Sequence, residues 1–171
     1  GCQAPDSGNA EILAKFGTAE QKEKYLKPLL NAEIASCYSM TEPQAGADPG
    51  EFLCTATRDG NEWVINGEKW FASHARFSAF LLVMVVTDPD APIHEGASIF
   101  LVEQGTPGME IIRNSAVGPY VEQGDGVHAY ISFKDCRVPA DSLLGNEGQG
   151  FHVAQTRLGG GRVHHAMRTV G

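Results

Sequence analysis

The sequence has few cysteines and a deficit of basic residues. Its 4 cysteines, among 171 residues, are far apart and form no C-x-x-C pair: Cys2, Cys37, Cys54 and Cys136. This spacing matches neither a disulfide framework nor a zinc finger, so we expect reduced, buried thiols in a cytosol-like compartment. The 13 Lys and Arg against 21 Asp and Glu give a formal net charge of −8. That balance disfavours nucleic acid and anionic membrane surfaces as partners.

Long apolar runs and metal-binding spacings are also missing. The longest near-continuous apolar run, residues 79–86, is far shorter than the roughly 20 residues of a membrane-spanning helix and predicts a buried strand. The first residues of the sequence lack the basic and then apolar pattern that is typical of a secretory signal. The 6 His residues follow no H-E-x-x-H or zinc-finger spacing, so we expect no metal. With 42% hydrophobic and 20% charged residues, the composition is that of a folded globular domain.

Two short helices are predicted at the start of the chain. Residues 9–16 place Ile12, Leu13 and Phe16 on one helical face. A second helix begins at the capping box of residues 18–21 and ends or kinks near Pro28.

The pattern from Ile34 to about Phe133 is typical of an all-β region, with short β-branched and aromatic runs separated by turn signals. The Asn66-Gly67 pair is a strong type I′ turn signal and predicts a hairpin. Because no helix separates the strands, a barrel or sandwich is favoured over a parallel α/β sheet. The predicted strands are 34–41, 52–58, 62–66, 68–73, 79–86, 97–103, 109–113 and 126–133.

A glycine-rich loop at 144–150 and a helix from Phe151 to Gly171 are predicted after the β region. A lone helix whose apolar stripe has no partner has little stability in water. We therefore expect the chain to be part of a longer protein with helical neighbours.

Two segments are candidates for a ligand site. Residues 38–48 form a strand end followed by a turn of small residues, which brings backbone amides to a sheet edge where a flat or anionic ligand could approach. Residues 67–74 carry Trp70 on a predicted strand. Taken alone, the first is compatible with an ordinary strand-to-loop corner, and Trp70 with a core residue.

Taken together, these segments resemble the acyl-CoA dehydrogenase family. The shared motifs follow one another along essentially the whole chain: residues 16–18 with Gln21, 26–30, 40–43 with Gly46 and Asp48, 66–70, 106–108, 138–140 with 144–145, 148–150 and Arg162. The ending at 157–168 is similar to the subfamily of long members that can carry an extra kinase-like domain.

The resemblance implies a mainly β fold, the family's middle β-barrel or sandwich with flanking α-helices. Residues 1–33 would end the N-terminal helical domain, 34–137 would be the middle domain, and 138–171 a linker and the first helix of the C-terminal helical domain. The implied activity is FAD-dependent α,β-desaturation of a fatty acyl-CoA in fatty acid β-oxidation, in a homodimer or homotetramer served by electron-transfer flavoprotein or a similar acceptor. The implied location is the cytoplasm in a bacterium, and the mitochondrial matrix or peroxisome in a eukaryote.

The resemblance also implies site residues. Those expected at the flavin are Tyr38, Met40, Thr41, Gly46, Trp70, Phe71, Ala72 and Ser73. Those expected at the acyl-CoA are Ala47, Gly159, Gly160, Gly161 and Arg162. The family's general-base glutamate is expected outside this chain, which alone would be inactive, and Glu42 and Asp48 are implied to tie the loop to the barrel edge.

Two alanines depart from the family pattern. Ala47 stands where the family often has Ser, and Ala72 stands where many members have a Thr that faces flavin N5. The N5 donor would then be a backbone amide or Ser73. Two alternatives stay open: an acyl-CoA oxidase or flavin monooxygenase on the same scaffold, and a degenerate binding or assembly module. The alanines favour the degenerate module, whereas Trp70 and Thr41 argue against it.

Overall fold

One curled seven-stranded sheet forms the body of the molecule in a computed structural model, which describes residues 4–115 and 128–171. The strands are β1 Ser36–Ser39, β2 Thr55–Asp59, β3 Glu62–Ser73, β4 Phe80–Val86, β5 Ala97–Glu103, β6 Met109–Asn114 and β7 His128–Pro139. The strand order is β1-β4-β2-β3-β7-β6, and β5 pairs with β4. The pairs β2–β3, β3–β7, β6–β7 and β4–β5 are antiparallel, and β1–β4 is parallel.

Helices flank the sheet at both ends of the chain. Those at the start are α1 Asp6–Phe16, α2 Ala19–Gln21, a π-helical stretch Lys22–Leu26 and α3 Lys27–Leu30. A four-residue helix, α4 Ile93–Gly96, lies between β4 and β5, so the prediction that no helix separates the strands is wrong at this point. The last helix is α5 Gly150–Val170. The predicted capping box is present, since Gln21 N donates to Thr18 Oγ1 at 3.2 Å and Thr18 N donates to Gln21 Oε1 at 3.1 Å. Across the two described ranges, no helix combines the length and apolar character needed to cross a membrane.

The sheet is buried on both faces. Along β4, Leu81, Val83 and Val85 pack inside the curl of the sheet, while the alternate residues Phe80, Leu82 and Met84 pack towards the helices. Side chains of a strand alternate between faces, so a strand covered on both sides is apolar throughout. This accounts for the uninterrupted run at 79–86, and each large side chain buried there contributes about 1.5–3 kcal/mol.

The predicted hairpin at Asn66-Gly67 is wrong. Strand β3 continues through both residues and pairs with β7, and the turn between β2 and β3 lies at Asp59–Glu62, where Gly60 has a φ of +60°. Gly67 has a φ of +137°, and a Cβ there would lie 2.5 Å from Cys54 Cα. Glycine at 67 therefore marks an irregular point in a strand that another backbone approaches closely.

Strand β7 extends to Pro139, beyond the predicted end at 133. It does so because β3 pairs with it as far as the partner residues Glu62 and Pro139. Residues 126 and 127 of the prediction lie outside the described ranges.

Three of the four cysteines are free and buried, as expected: Cys37, Cys54 and Cys136. Burial raises the pKa of Cys54 to about 12 and that of Cys136 to about 11. Cys2 lies outside the described residues.

Replacing Gly67 with alanine should destabilise the protein more than replacing Gly60. Both glycines have positive φ, a conformation that L-residues rarely adopt; in the left-handed region, where Gly60 lies, it costs an L-residue roughly 1–2 kcal/mol. Only at Gly67 does the new methyl group also meet Cys54, which should add about 1–3 kcal/mol, whereas nothing lies within 4 Å at Gly60. Urea unfolding of Gly67→Ala and Gly60→Ala measures the difference, and equal losses would contradict the close approach.

The buried cysteines should resist alkylation even in mild alkali. An exposed thiol has a pKa near 8.5 and is mostly thiolate at pH 9. Because the pKa values of Cys54 and Cys136 are raised, both remain protonated at that pH and are also covered. Mass spectrometry after iodoacetamide treatment should show labelling of both at least ~10-fold slower than in urea. Equal rates in folded and unfolded protein would refute their burial.

Candidate functional site

The structure brings together the two segments singled out in the sequence. Strand β1 ends at Ser39, and the loop that follows lies against the last part of β3. The backbone N–H of Trp70 donates to the Thr41 carbonyl at 2.8 Å, and Lys69 Nζ donates to the Met40 carbonyl at 2.9 Å. Two successive residues of β3 thus hold two successive carbonyls of the loop.

The loop closes into a tight turn after Thr41. Glu42 and Ala45 exchange backbone hydrogen bonds of 3.1 Å in both directions. Gly46 and Ala47 follow and are exposed. Asp48 Oδ1 then accepts the N–H of Gly50 at 2.8 Å and caps the short 3-10 helix Pro49–Glu51.

A buried ion pair lies beneath this turn. Lys69 Nζ is 2.7 Å from Glu42 Oε1, and their side chains are 0% and 1% exposed. Glu42 also accepts the backbone N–H groups of Leu53 at 2.7 Å and Cys54 at 3.2 Å, and Gln44 Nε2 at 2.6 Å. Burial lowers the pKa of Lys69, and the nearby Glu42 carboxylate opposes that shift. Glu42 therefore ties the loop to β2 and β3, in the structural role expected of it.

A β-bulge shapes the outer surface of β3. The pairing passes from Lys69 opposite Ile131 to Ala72 opposite Ala129, so Trp70 and Phe71 together face Tyr130. Phe71 takes a φ of +54° to achieve this. Bulges of this kind re-aim side chains and are frequent beside functional sites.

The bulge creates a stacked aromatic surface. The rings of Trp70 and Phe71 are nearly parallel, at 6°, with centroids 5.0 Å apart, and Tyr130 lies 6.1 Å from Trp70. We call these three residues the aromatic platform. The Arg113 guanidinium lies 5.8 Å from the Trp70 ring and 5.3 Å from the Tyr130 ring, within cation–π range.

The bulge also decides which predicted residues reach the surface. Phe71 is 42% exposed, whereas Ala72 is 0% exposed and belongs to the interior cluster. Ser73 is half-buried, with its Oγ 2.8 Å from His128 Nδ1. Trp70 Nε1 is buried and has no hydrogen-bond partner among the described residues. The side chain missing at position 72 would therefore have pointed into the core.

Tyr38 lies on the helical side of β1. The Arg157 guanidinium covers its ring at 3.8 Å, and Arg157 Nε donates to Asn9 Oδ1 at 2.8 Å. Asn9 Nδ2 in turn donates to Ser36 Oγ at 2.8 Å. These contacts tie α1, β1 and α5 together beside the loop.

Four of the five residues expected at the acyl-CoA lie farther along α5, whereas Ala47 lies in the loop after β1. Gly159, Gly160 and Arg162 are exposed and Gly161 is half-buried. Arg162 Nη1 donates to Gln155 Oε1 at 2.9 Å, within its own helix. It is Arg157, and not Arg162, that contacts the Tyr38 ring of β1 from α5.

The sequence analysis missed Lys69 and Arg157 as site residues, although each carries a signal. Lys69 continues the inward alternation of Trp63, Ile65 and Gly67, where a charge is unexpected. Arg157 is four residues after Val153, which lies on the buried face of α5.

The chain is similar to proteins of one family over nearly its whole length. The family model described as acyl-CoA dehydrogenase, middle domain, matches residues 37–136. Probable acyl-CoA dehydrogenase FadE2 of Mycobacterium tuberculosis is 46% identical over 99% of this chain and 42% of its own length. Human acyl-CoA dehydrogenase family member 11 is 44% identical over 99% of this chain and 22% of its own length.

A solved structure agrees with these matches. A putative acyl-CoA dehydrogenase from Mycobacterium abscessus superimposes with a TM-score of 0.89 and 42% identity, covering 98% of this chain and 42% of that one. The chain thus spans less than half the length of each of these three relatives. The family expected from the motifs and the mainly β fold are both confirmed, and the chain belongs to the acyl-CoA dehydrogenase family.

Proposed function

We propose that this chain supplies part of the cofactor and substrate surface of an FAD-dependent enzyme that desaturates the Cα–Cβ bond of a fatty acyl-CoA. The observation that carries the proposal is the aromatic platform, joined to the loop after β1 by the hydrogen bond from Trp70 N to the Thr41 carbonyl. When bound, FAD supplies the acceptor for the hydride removed from the β carbon.

The residues present fit a flavin. A planar ring needs a flat apolar face, and the exposed ring of Phe71, backed by Trp70, offers one. Its polar edge needs hydrogen-bond donors, and the buried Trp70 Nε1 is a donor without a partner among the described residues. A buried polar group of this kind normally finds a partner, so its lack of one supports a ligand at this place.

The bulge refines the roles expected of β3. Phe71 presents the exposed ring, with Trp70 packed behind it, and Ser73 is the side-chain donor rather than Ala72. Tyr38, Met40, Thr41 and Gly46 would flank the cofactor from the loop side, as the family resemblance implies.

The substrate residues remain as the resemblance implies. Exposed Gly46 and Ala47 leave room for a close approach of the ligand to the backbone. Gly159, Gly160 and Gly161 would border the thioester, and Arg162 is an exposed cation suited to a phosphate or carboxylate. Glu42 does not act as the base in this proposal, because its carboxylate is already engaged by Lys69 and three other donors.

The proposal extends to the organisation of the whole protein. Residues 1–33 would belong to an N-terminal helical domain, 34–137 to the middle domain and 138–171 to the start of a C-terminal helical domain. Electrons would pass to electron-transfer flavoprotein or a similar acceptor, and the enzyme would be a homodimer or homotetramer. It would act in fatty acid β-oxidation in the bacterial cytoplasm, or in the mitochondrial matrix or peroxisome of a eukaryote.

Two alanines, Ala47 and Ala72, favour the alternative of a degenerate binding or assembly module, and the position of Ala72 weakens that alternative. Because the Ala72 side chain faces the interior, the missing hydroxyl there removes no donor from the outer surface. An acyl-CoA oxidase or a flavin monooxygenase differs from a dehydrogenase in the acceptor that reoxidises the reduced flavin. Admitting air to the reduced protein distinguishes them from a dehydrogenase.

The purified full-length protein should be yellow and should bleach with substrate. We expect the two visible flavin bands, and their loss when a fatty acyl-CoA is added without oxygen. Recovery of the bands on admitting air, fast enough to sustain turnover, would favour an oxidase or monooxygenase. A colourless protein that does not take up added FAD would refute the proposal.

Replacing Phe71 with alanine should weaken FAD binding about tenfold. Loss of a stacked ring removes about 0.5–1.5 kcal/mol beyond the lost apolar contact, and 1.4 kcal/mol is a factor of ten. Phe77→Ala is the matched control, because Phe77 is 50% exposed but lies outside the platform. Quenching of flavin fluorescence gives both dissociation constants, and equal effects of the two substitutions would count against a cofactor at Phe71.

A further inference from the structure

We propose that Lys69 is a positioning residue for the cofactor site, because its buried ammonium group fixes the loop after β1 relative to the aromatic platform. This inference rests on the proposed function. It concerns a residue that contacts neither the exposed face of the platform nor the solvent.

Lys69 is hydrogen-bonded directly to the loop after β1. Lys69 Nζ donates to the Met40 carbonyl at 2.9 Å and to Glu42 Oε1 at 2.7 Å, and the next backbone N–H, that of Trp70, donates to the Thr41 carbonyl at 2.8 Å. One side chain and one backbone group from adjacent residues thus hold Met40 and Thr41. Their own side chains are among those expected at the flavin.

The loop after β1 depends on hydrogen bonds, and not on regular secondary structure, for its position. Residues 40–48 contain no helix or strand. The turn is tied below by Glu42, which accepts the backbone N–H groups of Leu53 and Cys54, just before β2. Without Lys69, the Met40 carbonyl would lose this buried donor.

The charge of Lys69 is buried. Lys69 faces the interior, and its Nζ lies 4.4 Å from the centre of the Phe52 ring. A buried ion pair can often be replaced by well-packed apolar residues without loss of stability. An apolar side chain cannot donate to the Met40 carbonyl, so the hydrogen bond to the loop gives the lysine a role that stability alone does not require.

The test compares two variants of the full-length protein that differ only at position 69. Glu42→Gln keeps Lys69 and its bond to Met40. The double variant Glu42→Gln, Lys69→Met removes that bond and leaves no unpaired ion buried. Hydrogen–deuterium exchange of residues 40–48 is measured in the cofactor-free protein, together with the FAD dissociation constant and the thermal midpoint.

We expect the double variant to be at least as stable to heat as Glu42→Gln, because Glu42→Gln alone leaves the Lys69 ammonium buried without its carboxylate. Despite that stability, it should exchange faster within 40–48 and bind FAD at least tenfold more weakly. Equal exchange and equal FAD affinity in the two variants would overturn the proposal. If the wild-type protein fails to bind FAD, the proposed function fails, and the exchange rates still decide whether Lys69 orders the loop.

A second double variant is used if Glu42→Gln, Lys69→Met does not fold. Lys69→Gln on the Glu42→Gln background keeps a shorter polar side chain at this position. We then expect a folded protein with faster exchange within 40–48 than Glu42→Gln has. Unchanged exchange would mean that Lys69 does not order the loop, and failure of this variant to fold as well would mean that Lys69 serves the fold as a whole. Either result would overturn a specific positioning role.

Discussion

The pairing of β3 with β7 is the constraint on which the rest of the structure depends. It extends over both twelve-residue strands and contains two register shifts. The first lies at Gly67, where the backbone passes Cys54 too closely for any side chain. The second brings Trp70 and Phe71 to one surface. A uniform ladder would instead have sent Phe71 inward and Ala72 outward, because side chains alternate along a regular strand.

Helices and loop are attached to this sheet by buried polar contacts. The Glu42–Lys69 pair joins the loop to β2 and β3, while Arg157 spans Asn9 and Tyr38. Polar groups in such places are costly unless every partner is present, so they specify one arrangement more strictly than apolar packing does. Both lie beside the residues assigned to the ligand.

Much of the architecture could be predicted from local pattern. The capping box at Thr18 and the apolar run at 79–86 each gave the right element, because short-range spacing governs helix starts and buried strands. The hairpin predicted from the Asn66-Gly67 pair was wrong, because the same dipeptide is compatible with a tight turn and with an irregular point in a strand. Lys69 and Arg157 were missed because their partners Glu42 and Asn9 are distant in sequence.

The sequence by itself determined the family, the β-rich middle region and the two segments that meet at the candidate site, because these reside in residue types and in spacings along the chain. Only the tertiary structure decided that Phe71 is exposed, that Ser73 is half-buried and that Ala72 is buried. The physical reason is that a bulge is a relation between two strands: its place in β3 depends on the register with β7, whose paired residue Ala129 lies 57 positions beyond Ala72 in the chain.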